Sequence, residues 1–579
     1  MGRVAGGRPL AAEPVISTTG PLPAQWSTAF VDGFVDHTIN QPAEAVLRFA
    51  DPQHRMLTDT RITLGTPLQV AVVTSTDRKR TLLFDGEVIG LETESDPAGV
   101  YTVLRGMDRG HRLLRGRRAI TYPKTTVREV VAKLARRAGL KPGRVDPTHR
   151  YEYLCQPGVS DWDFLLMLAR DHGGAVTVQG NRLSLRALPK ATEAPASSTP
   201  SGQSEQVLEY GRNLLSLRAA VDAAEQPASV EVRSWDMTTK KPIVASAKTT
   251  NSAQWAPDRP PWSGSAATSG EPPLVIDDRP YRSHAEAVDA AASAAATVAM
   301  SRADLVAVAY GSPKLHAGTA VALSGVGEPF TGRYTVTSCR HLFDPGQGYR
   351  TRVTLSVAGQ AWARDLHRTT RMNGLAIGTV SQVRTPPGAQ GRGWVRVRFP
   401  WLSDTYVTDW IRAVEWGGKG GGGAFCPGVG DEVLVGFEHG RLDRPYLLGG
   451  LYNGQDKPST TKTVVTEGGT VIRRFLADRS GDRIELVDSG EGAGVLLTTG
   501  DGNLSVQLDR GKGAITISGS GLVHLKTTGG LVLDAKTLEL KGTGTVKLSG
   551  ESVELAAGAS KISVSAGSIG LKATRVDVT

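Results

Sequence analysis

The chain has 579 residues, a formal net charge of +10 and three cysteines. This length is enough for about three to five domains, and 68 glycines and 32 prolines with 6% aromatic residues favour strands and turns over a helix bundle. The wide separation of Cys155, Cys339 and Cys426 argues against a disulfide framework and suits a reducing compartment. Residues 1–21 lack the apolar core of a signal peptide, and no run of about eighteen apolar residues predicts a transmembrane helix. The basic charge is interleaved along the chain, which fits solubility better than dedicated nucleic-acid binding.

Residues 25–190 predict strands with two amphipathic helices among them. Four strands are expected at 45–49, 67–73, 81–90 and 99–106. The first helix places Val127, Val130, Val131, Leu134 and Ala138 on one face, with Thr125 or Thr126 as N-cap and Gly139 at its end. The second helix is expected over 160–172, with Ser160 as N-cap and Asp163 three residues later, and strands follow at 174–178 and 183–188.

Residues 190–357 predict a second, mainly β region. Residues 190–206 have the composition of a linker or exposed loop. Strands are expected over 207–250, a long irregular loop over 251–275, and an alanine-rich helix over 285–300. Further strands are expected at 317–324, 334–340 and 350–357.

Five short strands are expected next, at 377–383, 393–399, 409–413, 432–437 and 444–452. That is the strand count of a small Greek-key barrel of the OB type. Trp394, Trp401, Trp410 and Trp416 are expected to fill and flank this barrel.

From residue 484 onward, apolar pairs spaced two positions apart recur every seven to nine residues. Such alternation makes short strands with one buried face, and glycines between the pairs allow the corners. Ile515/Ile517 is an early pair, and the inward-facing set expected to form the core comprises Leu531/Leu533, Leu538/Leu540, Val546/Leu548, Val553/Leu555, Ile562/Val564, Ile569/Leu571 and Val576/Val578.

The length of this repeat argues for three chains rather than one. A single-chain β-helix needs roughly twenty residues per turn at about 3.3 Å per residue, whereas one of these strands covers about one side of a triangle. Three intertwined chains would supply three sides at every level and leave no open edge. About thirteen strands stacked about 4.7 Å apart would make a rod on the order of 60 Å long. An ordinary single-chain solenoid is the alternative that the repeat leaves open.

Several motifs lie in a fixed order between residues 373 and 454: V-R-V-R-F-P-W at 395–401, W-I-R at 410–412, P-G-V-G-D-E-V-L-V-G-F at 427–437, D-R-P at 443–445 and L-Y-N-G at 451–454. Together they resemble the OB domain of contractile-injection spike proteins, which include the VgrG proteins of type VI secretion and the central spikes of contractile phage tails. Residues 106–188 and 304–357 resemble the hub part of that family and phage late control protein D.

The resemblance implies a mainly β homotrimer. Hub β-barrel domains with a few helices are expected over residues 1–190 and 191–370, a five-stranded OB-fold barrel over 371–457, and a C-terminal trimeric intertwined β-helix over 458–579. Such a protein would be a structural spike and baseplate hub that connects an inner tube protein and baseplate proteins to a membrane-puncturing needle. A separate PAAR-like tip protein at the C-terminal end and effector cargo are further implied partners. Without a signal peptide, assembly is expected in the cytoplasm, as part of a phage-tail-like particle that can be released by lysis or firing.

An enzymatic role finds little support. Only residues 455–470 separate barrel and needle, too few for the lysozyme domain of some phage spikes, and the chain ends directly after Val578, so we expect no effector extension. The glycine run at 417–423 lacks the order of a phosphate-binding loop, and Cys426 has only Asp431, Glu432 and His439 near it in sequence. Without metal-ligand spacing, no catalytic, cofactor or metal site is expected. An inward His524 could hold an ion on a trimer axis, but an outward, solvated His524 is favoured.

Two interpretations other than a structural spike are compatible with parts of the sequence. The basic cluster of Arg105, Arg109, Arg112, Arg115, Arg117 and Arg118 could bind nucleic acid, but it lacks stacking aromatics and a charged rim or subunit interface is favoured. A trimeric tail fibre that binds a receptor or degrades cell wall would also use a β-rod. Residues 484–579 contain no Trp, Tyr or Phe for sugar binding, so a non-enzymatic spike without nucleic acid is favoured.

Overall fold

The computed structural model describes residues 12–75, 78–222, 226–237, 239–249, 253–259, 272–355, 371–384, 393–419, 421–458, 462–490 and 492–576. The chain divides into two compact units, Met1–Asp456 and Lys457–Thr579. Val578, one of the core residues predicted for the needle, lies outside the described residues.

The first unit begins with a mixture of strands and short helices. Its elements over residues 12–187 are β1 (Ala12–Ser17), α1 (Ala24–Thr28), β2 (Phe30–Thr38), β3 (Glu44–Ala50), α2 (Met56–Thr60), β4 (Pro67–Thr74), β5 (Arg80–Asp96), β6 (Gly99–Asp108), β7 (Arg118–Thr126), α3 (Val127–Arg137), β8 (Lys141–Val145), β9 (Arg150–Val159), α4 (Asp161–Asp171), β10 (Gly174–Gln179) and β11 (Arg182–Ala187). The strands and both long helices predicted in this region are confirmed, with small shifts at their ends except for β5, which continues six residues beyond its predicted end at residue 90.

The predicted helix caps are present in α3 and α4. Thr126 accepts a hydrogen bond from the Glu129 backbone N–H at 3.3 Å, and the Glu129 carboxylate accepts one from the Thr126 N–H at 2.8 Å. Gly139 follows α3 with φ +73°, as a helix end requires. The Ser160 hydroxyl accepts the Asp163 N–H at 3.0 Å at the start of α4. These caps satisfy backbone groups that each helix leaves unpaired.

Residues 207–354 of the first unit contain one long helix. Their elements are β12 (Val207–Glu209), β13 (Leu214–Val221), β14 (Ser229–Asp236), β15 (Lys241–Lys248), β16 (Trp255–Pro257), β17 (Leu274–Ile276), α5 (His284–Met300), β18 (Ala303–Tyr310), β19 (Ala320–Ser324), β20 (Gly332–Thr335), β21 (Ser338–Asp344) and β22 (Gly348–Thr354). The alanine-rich helix is confirmed as α5. The loop predicted over 251–275 is wrong at both ends, because β16 pairs with β20 and β17 pairs with β14; residues 260–271 lie outside the described residues.

A ten-stranded antiparallel sheet organises residues 12–354, which are called the hub below. Its order is β1-β4-β5-β6-β3-β2-β21-β22-β18-β13. Strands from both sides of the predicted boundary at residues 190 and 191 therefore share one sheet, and Phe343 and Tyr349 pack into the apolar cluster of the first six strands. Pairing between such distant parts of the chain is not visible in the local pattern of either part.

Residues 190–206 form no strand, as predicted, but they are not a free linker. Ala191, Ala194 and Ser197 are buried, and the Ala191 N–H donates to the Ala253 carbonyl at 2.6 Å. Small side chains let this segment pack closely against its neighbours. A composition typical of loops therefore does not distinguish a packed connection from an exposed one.

The last part of the first unit is the five-stranded barrel sheet. Its strands are β23 (Ala376–Val383), β24 (Val395–Arg398), β25 (Arg412–Ala413), β26 (Glu432–Phe437) and β27 (Pro445–Gly450), in the order β24-β23-β26-β27-β25. Bridges from Val395 to Ile411 and from Arg398 to Val407 bring the segment before β25 back against β24. The sheet thus curls into an OB-like half-barrel, which confirms the predicted fold.

The second unit contains two antiparallel meanders. The first comprises β28 (Arg473–Ala477), β29 (Arg483–Val487), β30 (Gly494–Thr498), β31 (Leu504–Asp509) and β32 (Ala514–Gly519), and the second comprises β33 (Ser552–Ala557), β34 (Ser560–Ser565) and β35 (Ser568–Lys572). Residues 520–551 between them form no strand. The strands expected around Leu531, Leu538 and Val546 are therefore absent from the single chain, in which this stretch has no strand edge to pair with.

Candidate functional site

The first meander of the second unit presents one apolar face. Residues directly opposite each other in a sheet point to the same side, and the register aligns two rows of apolar side chains across the strands. The rows are Leu486, Val495, Leu508 and Ile515, and Leu476, Ile484, Leu497, Val506 and Ile517. In the single chain this face is open to solvent, with Ile515 73% exposed and Ile517 56% exposed.

The second meander repeats this arrangement with six of the residues predicted to form the core. Val553 lies opposite Val564, and Val564 lies opposite Ile569. Leu555, Ile562 and Leu571 form the neighbouring row. The three predicted pairs therefore share one face, and Ile569 on it is 74% exposed. That this face is a trimer core stays a prediction.

The stretch between the meanders is apolar and uncovered. Every residue from 520 to 551 is exposed. The core residues predicted here are Leu531, Leu533, Leu538, Leu540, Val546 and Leu548, with exposures between 54% and 62%. Val576, beyond β35, is 50% exposed. Such a run of exposed aliphatic side chains marks a surface that normally becomes covered.

The opposite face of the first meander carries a buried charge that the sequence analysis missed. Glu485 is 0% exposed and forms an ion pair with Arg473; Arg483 Nη1 lies 3.5 Å from its Oε1. A glutamate on an alternating strand is usually solvated. The available signal was the two-residue spacing of Arg483 and Glu485, which places both on one face of the sheet.

The tryptophans flank the barrel, as predicted, but do not fill it. The core is aliphatic with two large aromatic residues, Phe399 and Tyr406, both fully buried. Trp394 packs against this core, whereas Trp401 and Trp416 are 55% and 75% exposed. Trp410 carries two arginine guanidinium groups on its ring. The tryptophans therefore flank the barrel, because the narrow interior takes branched aliphatic side chains.

The structure does not assemble a nucleophile around Cys426. Its Sγ contacts the Pro427 carbonyl at 3.6 Å, and burial, with the charge of Glu415, raises the pKa of its thiol. A nucleophilic cysteine needs a lowered pKa. The glycine run that begins at Gly417 lies in the loop between β25 and β26. The described part of this loop contains no helix after the run, so the run does not form a phosphate-binding loop.

Three arginines of the cluster, Arg105, Arg112 and Arg118, are paired with carboxylates within the hub. Arg105 pairs with Glu92 and Glu44, and Arg112 forms two contacts with Glu87. Arg112 hydrogen bonding lowers the pKa of the Glu87 carboxyl despite its partial burial. Arg118 lies 3.9 Å from Asp161, and Arg115 contacts His111. These pairs fit the favoured interpretation as a charged rim rather than a nucleic-acid surface.

The hub also buries a histidine, His341, that no sequence motif marks. His341 is 1% exposed, its Nδ1 lies 2.8 Å from Tyr349 Oη, and its ring packs at 6.0 Å against the ring of His37. Burial, with a smaller effect of His37, lowers the pKa of His341 to about 3. The alternation of β21 would have placed it inward, beside Cys339 and Phe343.

Within the described ranges, no group of three or more His, Cys, Asp or Glu residues has the geometry of a metal site. His524 is exposed in the single chain, and which way it faces in an assembly stays a prediction.

None of the helices in the described ranges is both long enough and apolar enough to cross a bilayer.

Two family models match the chain. The model of the Alg8 N-terminal domain matches residues 30–344, and that of the type VI secretion system/phage-baseplate injector OB domain matches residues 376–452. The second match coincides with the half-barrel sheet described above.

Curated relatives match over short segments. The type VI secretion system spike protein VgrG5 of Pseudomonas aeruginosa is 43% identical over 70 residues, 11% of this chain and 9% of the relative. Spike protein VgrG1c of the same species is 36% identical over 87 residues, 14% of this chain and 12% of the relative. The chain thus matches only about a tenth of the length of these relatives.

Among solved structures, a half-lidded PdpA–VgrG complex from Francisella matches with a TM-score of 0.53 at 9% identity, and the match covers 88% of each chain. At this identity the likeness concerns the fold.

Proposed function

This chain belongs to the Alg8 N-terminal domain family and carries a phage-baseplate injector OB domain, and on that premise we propose that it works as the homotrimeric hub and needle of a contractile injection machine. It is a VgrG-like baseplate spike in its sequence motifs and its mainly β fold. Its role is structural: the similar curated proteins are spike proteins by name. An absence of enzymatic activity is part of the proposal.

The apolar faces of the second unit carry the proposal of three copies. Two meanders and the stretch between them expose aliphatic side chains along residues 476–576, far more than an isolated rod would leave in water. Three copies that pack these faces inward would bury them around one axis. The short repeat, which supplies about one side of a triangle per strand, supports three copies rather than two.

The proposed mechanism is mechanical. A trimer with closed strand edges concentrates the force of a contracting sheath on a narrow tip that punctures the target membrane. The residues that do this work are the core-facing set from Leu531 to Val576, which hold the copies together. Because apolar burial has no direction, it resists separation at every level of the rod.

The partners follow from the same role. An inner tube protein and baseplate proteins would bind the hub, a PAAR-like tip protein would bind the C-terminal end, and effector cargo would travel with the spike. Assembly would take place in the cytoplasm, in a phage-tail-like particle that is then released or fired. A role in nucleic-acid binding is not part of the proposal.

The mass of the purified full chain, measured by light scattering, tests the proposal. A trimer has three times the chain mass of 61.3 kDa, and addition of the inner tube and tip proteins should give larger, defined complexes. A stable monomer would refute the spike function. A trimer that hydrolyses peptidoglycan or polysaccharide would instead favour a cell-wall-degrading tail fibre.

A further inference from the structure

The hub and the barrel share a hydrophobic core, although the sequence predicts them as separate domains. Tyr153 and Cys155 on β9 and Ala119 on β7 belong to the same apolar cluster as the barrel interior. The Tyr153 hydroxyl donates to the Val407 carbonyl at 3.1 Å. The Tyr406 hydroxyl, at the centre of the barrel, donates to the Leu442 carbonyl at 2.9 Å. A two-stranded ribbon of the hub therefore closes one end of the barrel.

A set of charged contacts surrounds this core. Arg282, just before α5, donates from Nη1 to Asp409 Oδ2 at 2.8 Å, and its guanidinium lies over the Tyr153 ring. Arg444 of the barrel donates to the Pro280 carbonyl at 2.8 Å. Asp409 and Arg444 are 8% and 6% exposed, so the barrel end of each contact is desolvated. Buried charged hydrogen bonds hold a geometry more strictly than exposed ones.

The barrel residues of these contacts are held in place by ion pairs within the barrel. Asp443 accepts from Arg441 at 2.9 Å and 3.2 Å. Burial alone would raise the pKa of Asp443, but the charge and hydrogen bonds of Arg441, with Arg282 and Arg444, lower it to about 2. The carboxylate therefore stays charged between three guanidinium groups. Asp443 and Arg444 belong to the D-R-P motif, for which the sequence alone suggested no role.

The hub side is fixed to a long helix. The Glu286 carboxylate of α5 accepts the Arg282 backbone N–H at 2.9 Å, and Ser283 caps the helix through the Glu286 N–H at 3.2 Å. Farther along α5, the Ser293 hydroxyl donates to the Arg170 carbonyl on α4 at 2.6 Å. Arg371 also bonds Asp278 at 2.7 Å. Segment 278–283 is thus held in the hub and bonded to the barrel by hydrogen bonds and ion pairs.

We propose that segment 278–283 and the barrel residues Asp409, Arg441, Asp443 and Arg444 form a rigid joint that makes hub and OB barrel one body. Thrust applied to the hub then reaches the barrel through packed side chains and ion pairs. These contacts are independent of residues 356–370, which link β22 to the barrel in sequence and lie outside the described residues. The use of the joint in firing rests on the proposed spike function, whereas its rigidity does not.

Pulsed electron paramagnetic resonance on the full chain tests the joint. Spin labels are attached at Arg117→Cys in the hub and Asp404→Cys in the barrel, both exposed positions, in a Cys426→Ser background. Labelled chains are diluted with excess unlabelled chain, so that distances within one copy are measured. The wild-type joint should give a single narrow distance, and Arg282→Gln should lose it in favour of a broad distribution.

Matched variants separate a joint from a general effect on stability. Glu485→Gln removes a buried ion pair in the second unit and should leave the narrow distance unchanged. Arg282→Lys keeps the positive charge beside Asp409 and Asp443 and should retain the narrow distance, and Asp409→Asn, which removes the same ion pair from the barrel side, keeps the test valid if Arg282→Gln folds poorly. A narrow distance in Arg282→Gln, or a broad one in the wild type, overturns the joint. A narrow distance in a protein that is monomeric refutes the spike function and leaves the joint in place.

Discussion

Replacement of Ile562 and Ile569 by aspartate tests whether the apolar face of the second meander is buried between copies. The two residues lie on β34 and β35, on the same face, as the pairing of Ile562 with Leu571 and of Ile569 with Val564 requires. In the single chain the change should cost little, because both side chains already contact water. In an assembled trimer it should prevent association.

The magnitude follows from the exposed fractions. Ile562 is 43% exposed and Ile569 is 74% exposed, so assembly would cover slightly more than one isoleucine side chain per copy. At about 1.5–3 kcal/mol per fully buried aliphatic side chain, the loss is roughly 2–3.5 kcal/mol per copy. Each buried, unpaired carboxylate adds several kcal/mol, and symmetry repeats the loss in every copy.

Sedimentation velocity and light scattering measure the outcome over a dilution series. The control is Ser563→Asp with Ser565→Asp, which adds the same charge to β34 on the opposite face, as its register shows. The control should remain trimeric while the double isoleucine variant becomes monomeric with an intact hub. If the isoleucine variant assembles as firmly as the wild type, the inward assignment of these residues is wrong.

Three further predictions concern the first unit. Since His341 has a pKa of about 3 when folded and about 6.5 when unfolded, the free energy of unfolding should fall as pH drops from about 6.5 towards 3. In chemical denaturation at several pH values, His341→Gln should lessen this slope by about 1.4 kcal/mol per pH unit relative to the wild type; equal slopes in the two proteins would contradict a buried neutral imidazole. Gly393→Ala should destabilise the barrel by about 1–3 kcal/mol more than Gly374→Ala. Both glycines have positive φ, but of the two only Gly393 would place an added Cβ 1.7 Å from a backbone oxygen, that of Ile411. Equal melting temperatures of the two variants would contradict this packing. A water-soluble thiol reagent should label Cys426 alone in the native protein, since Cys155 and Cys339 are buried; labelling of all three by mass spectrometry without denaturant would show that the hub opens.

Sequence patterns predicted what depends on near neighbours. The cap of α4 was correct to the residue at Ser160, and Thr126 is one of the two caps predicted for α3, because a cap is decided within one helical turn. The prediction that the alternating apolar residues of β33 to β35 share one face was also correct, since alternation alone assigns residues to a face. The strands of the barrel were found for the same reason, and their motifs indicated the family.

The features that sequence patterns missed depend on distant contacts. Nothing local in the segment around Arg282 indicates Asp409 as its partner, and nothing in β9 indicates that Tyr153 would enter another domain's core. The strands expected at residues 531–548 failed for a related reason. A strand needs a neighbouring edge, and for this stretch one copy of the chain does not supply it.

The uncovered stretch between the two meanders also bears on how the chain survives before assembly. Its charged residues stand beside or within the apolar runs: Lys526, Asp534, Lys536, Glu539, Lys541, Lys547 and Glu551. Charges at such positions act as gatekeepers, because stacking strands out of register would bring like charges together. In an ordered assembly each of these charges has one fixed set of neighbours, whereas a disordered aggregate would have to neutralise all of these charges at once. In the proposed trimer, the segment that other copies cover would thus also carry charges that disfavour aggregation before assembly.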